Sequence, residues 1–197
     1  MAKKKAAVKP ALVCHPLIGE RWADFEQLFG ERGACGGCWC MYWRLRRPAF
    51  EEQKGAGNKE ALKWLVSAGE VPGLLGYLDG KAVGWCAVAP RAEFVRLETS
   101  RVLKPIDSVP VWSVTCLFVD KAYRKKGISV ALLRAVVDYV REQGGQLVEG
   151  YPIEPVKESV PAAFAWTGLA SAFLAAGFTE AARGSPTRPI MRFVITS

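Results

Sequence analysis

A mixed β-sheet with helices packed on both faces, an α/β or α+β layered domain, is the fold class that this sequence predicts. Three observations carry it. Residues 73–89 read as a β-hairpin, because apolar runs flank Asp79-Gly80, a dipeptide that readily takes the positive φ angles of a tight turn. Residues 111–119 are a near-continuous apolar run with no charged residue, which suits a strand covered on both faces. From there to the end, strand, helix, strand, helix and two further strands alternate, the order of a layered domain.

The elements follow in chain order. Residues 10–16 are read as a short first strand, and residues 21–29 as a helix with Trp22, Phe25, Leu28 and Phe29 on one side. A Gly/Cys segment, residues 33–40, precedes Met41-Tyr42-Trp43-Arg44. Asn58 is the expected N-cap of a helix carrying Leu62, Leu65 and Val66, which Gly69 ends. After the hairpin, Pro90 stops its second strand. Residues 129–143 place Leu132, Leu133, Val136, Val137 and Val140 on one stripe, and Gly144-Gly145 closes that helix. Residues 146–153 form another strand and residues 168–176 a short helix stopped by Gly177. Residues 178–182 and 190–195 make a closing antiparallel pair.

Size and composition bound the rest. With 197 residues, half of them apolar, the chain can bury a core without disulfides or metal. It is read as a disordered basic tail, residues 1–9, followed by one domain, residues 10–197. No run of about 18 apolar residues is present, and the lysine-rich start precedes no apolar stretch or cleavage pattern, so the cytoplasm is the expected compartment. The formal net charge is +8, which favours an anionic partner. Four lysines (Lys3, Lys4, Lys5 and Lys9) lie in the tail, however, and no nucleic-acid module signature is found. Neither nucleic acid nor membrane is therefore the expected partner; a phosphorylated small molecule is.

Residues 117–129 carry the chemistry: Leu117-Phe118-Val119, then Asp120-Lys121-Ala122-Tyr123, then Arg124-Lys125-Lys126-Gly127-Ile128-Ser129. A buried strand runs into a basic turn that opens an amphipathic helix. Backbone N–H groups at a helix start have no intrahelical partner, and the helix dipole places partial positive charge there. A diphosphate would satisfy those donors, and a glycine in the turn lets it come close.

This stretch resembles the acyl-CoA signature of the GNAT acetyltransferases, a strand ending Leu-x-Val followed by Arg/Gln-x-x-Gly-x-Gly/Ala. The resemblance covers residues 70–195 and implies a mostly antiparallel central sheet of six to seven strands. Within it, residues 10–70 would face the acceptor and residues 71–197 would hold acetyl-CoA, the acyl donor, with a homodimer as the assembly considered. The backbone of Leu117 and Val119, with Phe118 between them, would bond the pantetheine arm. Arg124, Lys125, Lys126, Gly127, Ile128 and Ser129 would hold the pyrophosphate, Ser129 standing where the family has Gly or Ala. The strand at residues 147–151 would splay from residues 111–119 and open a cleft for thioester and amine. Phe173 stands where members often carry a tyrosine that protonates the thiolate, so it is read as a cofactor contact only. Either the thiolate takes its proton from water or another residue supplies it, for which Tyr151 is the candidate. Glu149, the only acid inside the next strand, is the expected base, with Glu154 just beyond it as second choice. The implied function is transfer of an acetyl group from acetyl-CoA to a primary amine of a small molecule. A protein or peptide acceptor, or a degenerate acyl-CoA sensor, is the alternative.

Two clusters remain. Cys35-Gly36-Gly37-Cys38-Trp39-Cys40 has a metal-like spacing, but structural zinc needs about four ligands and no second Cys-x-x-Cys exists, so no metal is expected. On the acceptor side, Trp39 and Tyr42, with Trp166 and Thr167 before the last helix, are the expected walls, aromatic surfaces suited to a planar or cationic amine.

Overall fold

The computed structural model describes residues 12–155 and 165–196. The expected basic tail, residues 1–9, lies outside them, as do residues 10 and 11 of the first strand. Among the described residues seven strands form one sheet: β1 (Val13–Pro16), β2 (Gly73–Leu78), β3 (Lys81–Pro90), β4 (Trp112–Val119), β5 (Leu147–Gly150), β6 (Thr179–Ser185) and β7 (Arg188–Val194). Their order is β1-β2-β3-β4-β5-β7-β6. Only β4 and β5 run parallel; every other neighbouring pair is antiparallel. The hairpin turn is as expected, with Asp79 at φ 49° and Gly80 at φ 77°, both in the left-handed region that this turn requires.

Six helices among the described residues cover the sheet: α1 (Trp22–Phe29), α2 (Arg47–Glu52), α3 (Ala56–Ser67), α4 (Val95–Glu98), α5 (Ile128–Glu142) and α6 (Ala170–Ala176). On one face the α5 stripe packs with Phe173 and Ala176 of α6 against Val88, Val114, Val148 and Met191. Five of its side chains, Leu132, Leu133, Val136, Val137 and Val140, are at most 3% exposed; at about 1.5–3 kcal/mol each they anchor the helix and therefore the turn at its start. On the other face Trp22, Phe25 and Phe29 of α1 and Leu62 and Val66 of α3 pack over Leu75, Trp85 and Ala87. No helix among the described residues is long and apolar enough to cross a membrane.

Three sequence readings change. Asn58 is not the N-cap of α3. Gly55 caps it at φ 89°, and Asn58, fully buried inside the helix, donates its Nδ2 to the Gly37 carbonyl at 3.1 Å, tying α3 to the Gly/Cys loop. β5 is shorter than residues 146–153, ending at Gly150; Ile153 makes only a parallel bridge to Leu169. Both α2 and the segment of residues 91–111, which carries α4, went unread because neither has a long apolar period.

Candidate active site

The site begins with an irregularity in β4. Ala87 pairs with Cys116, but the next residue, Val88, pairs with Val114. Thr115 is therefore an extra residue, a β-bulge that resets which side chains face which way. Ahead of it, Val114 faces α5 and Ser113 meets the Tyr151 hydroxyl on the other side. Beyond it, Leu117 faces α5 while Cys116 and Phe118 turn toward the aromatic cluster over α1.

The bulge also marks where β4 and β5 separate. Their pairing covers only Trp112–Val114 against Val148–Gly150. Past that point the Leu117 N–H donates to the Trp166 carbonyl at 2.7 Å, so the chain's own residues 166–168 lie along part of the edge expected to hold pantetheine. A buried strand edge needs a partner, and here Trp166 supplies it. Because the Asp120 N–H donates to Val83 on the β3 side, strand alternation points the Leu117 carbonyl and the Val119 N–H into the gap. The Val119 carbonyl accepts from Arg124 Nε at 3.0 Å.

The turn from β4 into α5 is held by Asp120, whose Oδ1 accepts from the Ala122 N–H at 2.8 Å. Lys125 and Gly127 both have positive φ, 60° and 80°. The Ala131 N–H donates to the Gly127 carbonyl at 3.1 Å, so the N–H groups of Ile128, Ser129 and Val130 ahead of it project from the helix end without intrahelical partners. Arg124, Lys125, Lys126 and Gly127 are exposed and Ser129 is half-buried. The Ile128 side chain is buried in the core, leaving only its backbone to the turn. A Cβ built on Gly127 would meet nothing within 4 Å; the glycine serves the backbone angle and leaves the space before the turn open.

On the face opposite α5 the Gly/Cys loop and β4 enclose a cleft of about 270 Å³, lined by Tyr42, Phe50, Cys116, Phe118 and Trp166 among others. Tyr42 and Trp166 meet edge to face with centroids 5.1 Å apart. Two other expected wall residues are elsewhere. Trp39 is 4% exposed, stacked on Phe29 with its indole against Gly33, so it is core. Thr167 is buried, and its Oγ1 accepts from Arg188 at 3.1 Å.

Glu149 and Tyr151 also differ from expectation. Both are completely buried. Glu149 Oε1 accepts from Arg91 Nη1 at 3.2 Å and from the Tyr151 hydroxyl at 2.7 Å; its Oε2 accepts from Arg192 Nε at 2.7 Å. The Tyr151 oxygen in turn accepts from Arg91 at 2.6 Å and lies 2.9 Å from Ser113 Oγ. Burial, and then the Glu149 charge, push the Tyr151 hydroxyl up from its ordinary value, so it stays protonated with its proton directed at Glu149. Neither residue lines the cleft. The carboxylate has no oxygen free to take a proton from an amine, and the phenol has none to give a thiolate. They are the centre of a buried polar network that Arg91, Arg192, Ser113 and Asp107 complete, none of which the sequence singled out.

Phe173 is likewise core rather than cofactor contact: it is fully buried, with its ring against Gly150 and Gly168 and edge to face with Phe178 at 5.1 Å. Restoring the tyrosine with Phe173→Tyr is expected to lower stability by about 1–3 kcal/mol through a buried, unpartnered hydroxyl, without raising turnover. Denaturant unfolding and a turnover assay on the same preparation check both halves.

All six cysteines are free. Cys40 is buried and accepts from Trp85 Nε1 at 3.0 Å, Cys38 is half-buried, and Cys35 is exposed. Among the described residues no group of three or more His, Cys, Asp or Glu is arranged to hold a metal ion.

A family model, that of the acetyltransferase (GNAT) family, matches residues 39–151. No curated protein matches the chain significantly. Among solved structures, a GNAT-family acetyltransferase from Streptococcus agalactiae aligns at 10% identity and TM-score 0.57, covering 94% of this chain and 96% of its own. The PaiA N-acetyltransferase from Thermoplasma acidophilum, in complex with coenzyme A, aligns at 15% identity and TM-score 0.50, over 94% and 99%. The NatC complex bound to Gag peptide and CoA aligns at 14% identity and TM-score 0.51, over 94% and 99%. At these identities the structural likeness speaks to the fold.

Proposed function

The chain belongs to the acetyltransferase (GNAT) family, whose model matches more than half of it, and we propose that it moves an acetyl group from acetyl-CoA to a primary amine of a small molecule. Transfer occurs by direct attack in a ternary complex. The observation that carries the small-molecule reading is the cleft of about 270 Å³ beside Cys116 and Leu117. It lies just below the range of about 300–1,000 Å³ usual for small-ligand pockets, and a groove for an extended peptide would be longer and more open.

The residues present suit the donor. The outward N–H groups at the start of α5, with Gly127 at φ 80° and open space before it, would take the pyrophosphate; Lys125 and Lys126 would add charge. The Leu117 carbonyl and the Val119 N–H would accept a strand-like pantetheine arm, while the Leu117 N–H stays with Trp166. Acetyl-CoA supplies a thioester, an acyl group already activated for attack. The protein's part is then mostly placement: Tyr42 and Trp166 hold the amine against the β4 bulge, and aligning two reactants can supply several kcal/mol of the barrier. The six free thiols accord with a reducing, cytoplasmic setting.

The test is to incubate the protein with acetyl-CoA and, separately, a panel of small primary amines and a library of peptides. Free CoA and acetylated product are then followed by mass spectrometry. Acetylation of one or more small amines is expected. Acetylation confined to peptides would replace the acceptor class, and binding without transfer to any amine would make the chain a sensor.

A further inference from the structure

The walls of the acceptor cleft are of one electrostatic kind. Among the described residues that line it, the only formal charge is Lys54, and none is Asp, Glu or His. Three acids of the neighbouring elements are committed. Glu51 pairs with Lys54 at 3.7 Å, Glu93 with Arg44 at 2.6 Å, and Glu149 lies buried between Arg91 and Arg192. Two arginines also stand close to its walls. The Arg96 guanidinium sits 4.0 Å over the Tyr42 ring and 5.2 Å over Phe50. The half-buried Arg188 donates to Thr167, next to Trp166. One face each of the Tyr42 and Phe50 rings, the kind of surface that draws an ammonium by cation–π attraction, thus already carries a cation. The other titratable groups in the lining are Tyr42 and the thiols of Cys35, Cys38, Cys40 and Cys116. Burial pushes Cys38 up to about 12 and Cys40 well above the ordinary range, so both are protonated near neutral pH.

An ammonium entering this cleft would lose hydration worth several kcal/mol and find no carboxylate in return. A neutral amine on an apolar frame loses little. Resting on the acetyltransferase reading above, we infer that the acceptor is a small apolar amine, an aromatic one in the first instance, which binds as the neutral base, and that no protein group acts as general base. The nitrogen lone pair forms the C–N bond to the thioester carbonyl carbon and the C–S bond breaks. The one proton that the nitrogen gives up goes to the departing sulfur, directly or through water. Protons balance within the site, so a base is not required.

The consequence is selection by basicity. At pH 7.5 an α-amino group of pKa about 7.8 is about one-third neutral, whereas an alkyl amine like that of lysine, pKa about 10.4, is about 0.1% neutral. The difference is roughly 300-fold in the species that binds.

Two probes with the same ring separate the possibilities: phenylalanine amide, with a weakly basic α-amino group, and phenethylamine, a strongly basic alkyl amine. We expect kcat/KM for each to rise tenfold per pH unit up to an inflection at that amine's own pKa, with phenylalanine amide ahead by about 100-fold at pH 7.5. Calorimetry without acetyl-CoA supplies a second readout: phenethylamine affinity rises tenfold per pH unit over the same range. As a reversal, Ala34→Asp adds a carboxylate to the cleft wall. It should improve phenethylamine at pH 7.5 at least tenfold. An inflection that stays at one pH whichever amine is used would overturn the inference, as would pH-independent binding. Absence of transfer to every amine would remove the acetyltransferase reading instead, and the calorimetric arm would still judge the binding of the neutral form.

Discussion

Replacing Gly127 by valine is expected to cut acetyl-CoA affinity by a factor on the order of 100 to 10,000 while leaving the chain folded. Two effects combine. A β-branched residue at φ 80° is strained by about 1–3 kcal/mol, so the turn relaxes and the N–H groups of residues 128–130 no longer project together. Losing two hydrogen bonds to a charged pyrophosphate, at about 1.5–3 kcal/mol each, gives that range of affinity. The fold itself should tolerate the change, because no atom lies within 4 Å of a Cβ at this position. A fall in Tm of roughly 2–12 °C is the expected scale. Gly127→Asn separates the two contributions, since asparagine adopts the left-handed region more readily. Partial recovery of binding would assign the loss to the backbone angle, whereas a loss equal to that of valine would assign it to obstruction by the side chain. Calorimetry with acetyl-CoA reads both, and undiminished binding by Gly127→Val would move the donor away from this turn.

That turn was legible in the sequence because its determinants are local. The apolar strand, the basic residues, the glycine and the helical stripe of α5 lie within thirty or so consecutive residues, and the Asp79-Gly80 hairpin is equally self-contained. The acceptor side was not legible in this way. Trp39 has φ 45° and Cys40 φ 58°, angles imposed by packing: the Trp39 ring closes over Gly33, and Asn58, 21 residues further along, clamps Gly37. Aromatic composition alone could not say that Trp39 is core and Tyr42 is wall. Nor does any local pattern announce the bulge at Thr115, because it appears only once β3 is laid against β4. Glu149 shows the same limit in electrostatics. Strand alternation turns it to one face, but its partners Arg91 and Arg192 come from 58 and 43 residues away.

Those partners make Glu149 the residue whose removal should harm the fold most. Glu149→Ala leaves Arg91 and Arg192 facing each other across a buried cavity, and breaking a buried pair by removing one member costs about 3–5 kcal/mol. For a chain of this length that is a fall in Tm of roughly 6–20 °C, measured by calorimetry or circular dichroism. Arg192 keeps Asp107, whose carboxylate it contacts at 2.5 Å, whereas Arg91 keeps only the longer, exposed contact to Glu98 at 3.4 Å, so the larger share of the damage falls on Arg91. That guanidinium also donates to the Leu97 and Leu103 carbonyls and so pins the segment of residues 91–103 over the sheet. Glu149→Gln keeps the shape and an acceptor for Tyr151 but not the charge, and its loss should be smaller. The pair of variants also tests the chemistry. A general base replaced by glutamine would lose kcat at unchanged Tm. A structural carboxylate would lose Tm in proportion to charge and packing, and acetyl transfer by the protein that remains folded would fall much less. The second pattern is expected, since both Glu149 oxygens are bonded inside the protein and the carboxylate does not line the cleft where the amine would sit.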